Sequence, residues 1–190
     1  MGYYFLESQY PRSGFISGGT TFTPELDKNY INVNYPLPDH TKAEVELLSS
    51  VRSLKVDYFE TITGTRVVSD AFKTLLEETG SNVQFIPAIV RYHDDRPVEK
   101  TYWIAHLMEQ VDCFDYERSE YGRKAVIAAS VHQPPRKLVK VISKLVLDHS
   151  KINGYHFFKL AHVQLLKPII SSELYDTCKK HKLKLHVITI

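Results

Sequence analysis

Two stretches of the chain place polar and apolar residues in the same order. "TRVVSDAFKTLLEETGSNVQF" at 65–85 and "KPIISSELYDTCKKHKLKLHV" at 167–187 each run from a β-branched pair through a serine into apolar residues at helical spacing, then break and alternate. Placing Ser69 on Ser171 aligns Val67 and Val68 with Ile169 and Ile170, and Phe72 with Leu174. The pattern predicts a strand, a serine-capped helix and a returning strand, a packing unit used twice. In the first copy Phe72, Leu75 and Leu76 form the apolar stripe, and Gly80 stands where a left-handed residue ends a helix. As nucleophiles these serines lack a Gly-x-Ser-x-Gly turn and a histidine of clear role nearby, so capping is the reading.

The same periodicities organise the rest. "DHTKAEVELLSSVRSL" sets Leu47, Leu48, Val51 and Leu54 at helical spacing, with Asp39 or Thr41 as cap, and predicts a third helix. "KVDYFETI" alternates as a half-buried strand, and "VQFIPAIVRY" and "TYWIAHLM" flank the charged turn "HDDRP" as a hairpin. "KAVIAASVH" and "KLVKVISKLVL" read as further strands, and "NG" at 153–154 turns the chain into "YHFFKL". The first forty residues are tyrosine-rich and broken by Pro11, Gly14, Gly18, Gly19, Pro24, Pro36 and Pro38; only "YYFLE" and "YINVN" resemble short strands, so this is an irregular lead-in over the core. The sum is an α+β fold with a mixed or largely antiparallel sheet, about three helices and eight or so strands, forming a single domain over residues 1–190.

Composition narrows the function. The chain carries 24 Lys and Arg against 22 Asp and Glu, so no overall field draws in nucleic acid or an anionic membrane. Cys113 and Cys178 belong to no Cys/His ligand pair, which argues against a disulfide scaffold or structural zinc and for a reducing cytoplasm. The N-terminus has no signal-peptide pattern, position 6 is Leu6 where a myristoylation signal wants Ser or Thr, and no apolar run approaches a membrane span of about 20 residues.

Candidate chemistry is sparse. His93, Asp94 and Asp95 could be offered to a divalent ion, yet their spacing matches no helical His pair and "HDDRP" reads better as a charged hairpin tip. The C-terminal histidines His149, His156, His162, His181 and His186 lack metal-ligand spacing as well. Arg136, Lys137, Lys140 and Lys144 sit beside apolar residues without any RNA-binding signature. Cys113 has acidic neighbours, which disfavour a reactive thiolate. "EQVDCFDYERSEYGRK" at 109–124 is the more informative segment. Its carboxylates Glu109, Asp112, Asp115, Glu117 and Glu120 interleave with Phe114, Tyr116 and Tyr121. It is either a solvated loop or a surface for a basic partner, in which rings supply area and charges supply steering.

"VVSDAFKTLLEETGSNVQFIPAIV", "YWIAHLMEQVDCFDYERSEY", "YHFFKL" and the closing "IISSELYDTCKKHKLKLHV" together resemble the bacterial immunity protein 11 family, over roughly residues 50–190. The resemblance implies a cytoplasmic antidote, encoded beside a polymorphic toxin that it neutralises by binding, often a nuclease. It implies no catalysis, metal or cofactor of its own. The contact residues expected are Asp112, Asp115, Tyr116, Glu117 and Glu120. The alternative is a metal-dependent hydrolase or nuclease using His93, Asp94 and Asp95.

Overall fold

A computed structural model describes residues 2–8, 16–27, 30–127, 136–163, 165 and 167–190, with backbone only for 123–127, 136–138 and 140. In chain order the elements are β1 (Tyr3–Glu7), β2 (Ser17–Thr23), a 3-10 turn (Tyr30–Asn32), β3 (Lys42–Leu47), β4 (Tyr58–Glu60), β5 (Arg66–Ser69), α1 (Asp70–Glu78), β6 (Val83–Arg91), β7 (Tyr102–Leu107), β8 (Gln110–Val111), β9 (Glu120–Ile127), β10 (Arg136–Lys144), a second 3-10 turn (His149–Lys151), β11 (Phe157–Leu160), β12 (Ile169–Ser171), α2 (Ser172–Lys180) and β13 (His186–Thr189).

The strands form a six-stranded sheet ordered β2-β3-β6-β7-β5-β4, a five-stranded sheet ordered β13-β1-β12-β11-β8, and a β9–β10 ribbon. Pairing is antiparallel except between β3 and β6 and between β11 and β8. The mixed, largely antiparallel expectation therefore holds at the level of α+β, although the described residues hold far more strand than helix, with two α-helices.

The third helix is a correction. Residues 42–47 alternate Lys-Ala-Glu-Val-Glu-Leu, and the structure uses that period of two: Ala43, Val45 and Leu47 are buried while Lys42, Glu44 and Glu46 face out. Placed between β2 and β6, this segment gains a backbone partner on each side. The helical spacing of Leu47, Leu48, Val51 and Leu54 mixed strand residues with those of the following loop.

Both serines cap helices as read. Ser69 Oγ accepts the Phe72 N–H at 3.3 Å, and Ser171 Oγ accepts the Leu174 N–H at 3.1 Å. The wider repeated unit is not supported. After α1 the chain enters β6, nine residues long and held between β3 and β7; after α2 it enters β13, a four-residue edge strand on β1. What the two regions share is what any capped crossover helix needs: an accepting hydroxyl and one apolar stripe.

Three clusters fill the interior. Phe72, Leu75, Leu76, Leu174 and Cys178 of the helices pack on Leu6, Tyr58, Val68, Ala105, Leu107, Phe157 and Ile170, so one apolar layer spans both sheets. The far face of the six-stranded sheet buries Val45, Val67, Ile86, Tyr102 and Ile104 beneath Ile16, Leu37 and Leu54. The far face of the five-stranded sheet buries Phe158 and Ile169 against Val111, Cys113, Phe114, Val139 and Leu147. Of the first forty residues, β1 lies inside the five-stranded sheet between β13 and β12, glycine-rich "SGGTTFT" is the strand β2, and "YINVN" opens as a 3-10 turn, while Ile16 and Leu37 cover the core of the six-stranded sheet. Part of "KAVIAASVH" lies outside the described residues; its start belongs to β9.

Candidate functional site

The acidic segment leaves β8 and enters β9 through a turn built by Asp115. Asp115 Oδ1 accepts the N–H groups of Glu117 and Arg118 at 3.0 and 2.9 Å, and Oδ2 accepts Arg118 Nε at 2.6 Å. An aspartate that captures backbone two and three residues on is a local turn maker. These bonds, the Arg118 backbone first, hold the Asp115 carboxyl below the usual carboxylate range. Ser119 pins the turn from the other side: its Oγ accepts the Val146 N–H at 2.9 Å and donates to Val146 O at 3.2 Å.

Aromatic rings make the floor. Phe114, almost fully buried, meets Tyr116 edge-on at 4.9 Å and Tyr121 at 5.5 Å, and the two tyrosines meet at 6.2 Å. Burial, then the charge of Asp112, pushes the Tyr116 phenol up. Asp112, Glu117 and Glu120 are exposed. The five expected contact residues therefore share one turn but divide in role. Asp115 and Tyr116 are half-buried and shape the turn, whereas Asp112, Glu117 and Glu120 offer carboxylates outward. Cys113, beneath them, is fully buried; burial pushes its thiol up to about 12, so it stays protonated at neutral pH.

The other candidates do not assemble. His93 Nδ1 lies 2.6 Å from Glu46 Oε1, Asp94 Oδ2 accepts Arg96 Nε at 2.8 Å, and Asp95 adopts a left-handed φ of 63° at the tip of the turn. The expected tip is present, and His93 and Asp94 turn to different partners, Glu46 and Arg96. Among the described residues no three of His, Cys, Asp and Glu group as metal ligands. The side chains of Arg136, Lys137 and Lys140 lie outside the described set, and Lys144 is exposed opposite Glu120. One pairing was invisible in the sequence: His156 Nδ1 is 2.9 Å from Ser171 Oγ. Ser171 is fully buried and its oxygen already caps α2, so the histidine braces a cap.

Sequence reasoning also missed an interior cationic group. Arg66, His106 and Lys159 are each at most 6% exposed. Each interrupts an apolar strand run, in "TRVV", "IAHL" and "FFKL", and a lone charge inside such a run was the available signal. Arg66 lies 3.9 Å from Glu60, whose carboxyl is raised by burial while the Tyr58 hydroxyl donates to it at 2.6 Å. Burial, then repulsion from Arg66, pulls Lys159 down to about 8. His106 is likewise lowered, by burial and then by Lys159 and Arg66, against its bond to Tyr35 O.

Two of these side chains, Lys159 and His106, hold the lead-in together with Gln84. Lys159 Nζ donates to Ile31 O at 3.1 Å and Val33 O at 3.5 Å, and His106 Nε2 sits 3.0 Å from Tyr35 O. Gln84 accepts the Leu37 N–H at 2.7 Å and donates to Leu37 O at 3.1 Å. Tyr30 bonds Thr65 through its hydroxyl, and Gly64, at φ 80°, admits Ile31 where an added Cβ would stand 3.3 Å from its Cδ1.

No helix among the described residues is long and apolar enough to cross a membrane. No curated protein matches the chain. Residues 22–185, which contain the acidic turn, the interior cations and both capped helices, match the Immunity protein family (Imm11), and the chain belongs to that family.

Proposed function

We propose that this protein binds a cognate bacterial toxin and neutralises it, acting in the cytoplasm of the producing cell without catalysis of its own. Membership of an immunity protein family carries the reading. The acidic turn supports it as the contact site: Asp112, Glu117 and Glu120 are exposed on a turn fixed by Asp115 and by the Phe114–Tyr116–Tyr121 rings. Binding surfaces with ordered rings and outward charges lose little entropy on association and steer an oppositely charged partner. The partner surface is therefore basic, as nucleic-acid-cleaving toxins are where they hold phosphates. The net charge of +2 makes this a local attraction. We further read the chain as one domain, because the apolar layer under α1 and α2 takes residues from both sheets.

Affinity capture from the source bacterium with the tagged protein, followed by mass spectrometry after a high-salt wash, tests the reading. A single co-purifying polypeptide whose expression alone is toxic, and harmless with this chain, is the expected outcome. Recovery of the tagged protein alone, with neighbouring genes expressed, would refute it.

A further inference from the structure

We infer that the lead-in segment 30–37 is part of the partner surface, with Tyr35 as its aromatic anchor and Lys159, His106 and Gln84 as positioning residues; this rests on the toxin-binding reading above.

The segment is held in an unusual way. Among the described residues it joins no sheet, yet alternate carbonyls, of Ile31, Val33, Tyr35 and Leu37, each receive a side-chain donor from the strands beneath. The segment begins as a 3-10 turn at Tyr30–Asn32 and then runs on irregularly, and Lys159, His106 and Gln84 give its carbonyls the donors that a neighbouring strand would otherwise supply. Turning those carbonyls inward leaves the opposite side of the segment to solvent. Tyr35 is 61% exposed there, more than any other described tyrosine, phenylalanine or tryptophan, with Asn32, Asn34 and Pro36 exposed around it.

Holding the segment this way buries Lys159 and His106 near Arg66, an arrangement that costs stability through desolvation and like-charge repulsion. A large amphipathic ring carried into water on a fastened backbone suits the centre of a protein interface, since tyrosine supplies area with few rotors to freeze. Position ties it to the acidic turn. Lys159 pairs in register with Gln110 and its backbone N–H donates to Glu109 O at 2.9 Å, so the residue that holds Ile31 and Val33 also fixes the start of the acidic segment. His106, which holds Tyr35, lies on β7 immediately before that segment. The occupant is therefore the same basic protein surface that the carboxylates face. Tyr35 would pack against its apolar or cationic groups, as a tyrosine face accepts arginine or lysine.

The test uses the full-length chain and the polypeptide recovered in the capture experiment. Tyr35→Ala should leave the thermal unfolding transition in place and weaken the complex at least about 30-fold, the loss typical of an interface anchor. Lys159→Met should weaken it by about 10-fold while speeding amide exchange across residues 31–37, and this loss should vanish when Tyr35→Ala is already present. A merely structural lysine would give the same loss in both backgrounds. Full affinity in Tyr35→Ala, with affinity lost when Asp112, Glu117 and Glu120 are reversed to Lys, overturns the inference and leaves the toxin reading standing. Failure of the wild-type chain to hold any polypeptide overturns both.

Discussion

On the helix side, buried polar groups are consumed by the chain that carries them. Ser69 and Ser171 each close a helix start, and Asp57 accepts the Lys184 N–H at 2.7 Å and Lys100 Nζ at 2.6 Å, fastening the approach to β4 to the approach to β13. On the loop side, Lys159, His106 and Asp115 are spent on holding irregular backbone, which turns Tyr35, Asp112 and Glu117 outward, exposed. The contrast separates two uses of the same chemistry. A buried hydrogen bond that ends a helix stabilises the platform, whereas one that shapes a loop stabilises a presentation.

The sharpest way to break the comparison is through Lys159, whose interior charge should be a cost to stability. Its folded pKa is depressed to about 8 from 10.5, so between these values the unfolded chain holds a proton that the folded chain has released. Stability therefore rises with pH across that window and is lost as pH falls back through about 8. The full span is on the order of 3 kcal/mol for a shift of this size. Urea unfolding from pH 7 to 10.5 should show this rise in the wild type relative to Lys159→Met; parallel curves would mean the ammonium is solvated.

A smaller effect tests the helix side. Ser171→Ala removes the acceptor for the Leu174 N–H and the partner of His156, and should cost about 1 kcal/mol in urea without changing toxin affinity. An affinity change larger than the stability change would place α2 in the interface. Smallest is the exit of α2, where Lys182 holds the left-handed position, φ 60°, that Gly80 holds after α1. Lys182→Gly should stabilise the fold by about 0.5–1 kcal/mol, seen as a raised melting temperature.

How much of this could be read from the sequence follows the same division. The capped helices were legible because serine cap and apolar stripe lie within a dozen residues, with Gly80 marking the end of the first, and the hairpin around "HDDRP" because its two runs flank one polar turn. β3 was not, because Lys42–Leu47 takes its conformation from β2 and β6, which are distant in sequence. The acidic segment was recognised by composition, but which carboxylates face outward was not: Asp115 is distinguished from Asp112 by capturing Arg118. The support of the lead-in was hidden altogether, since Lys159 and Ile31 are 128 residues apart and nothing local marks their bond.

The most direct test of the loop side as the binding side is a titration of the captured toxin against the chain carrying Asp112→Lys, Glu117→Lys and Glu120→Lys together. These residues are exposed, and Asp115 and the rings that build the turn are left in place. Binding should weaken by about 100-fold or more, and protection of cells should fail, with the unfolding transition unmoved. Wild-type affinity in the triple variant would contradict the assignment and move the interface to another face of the molecule.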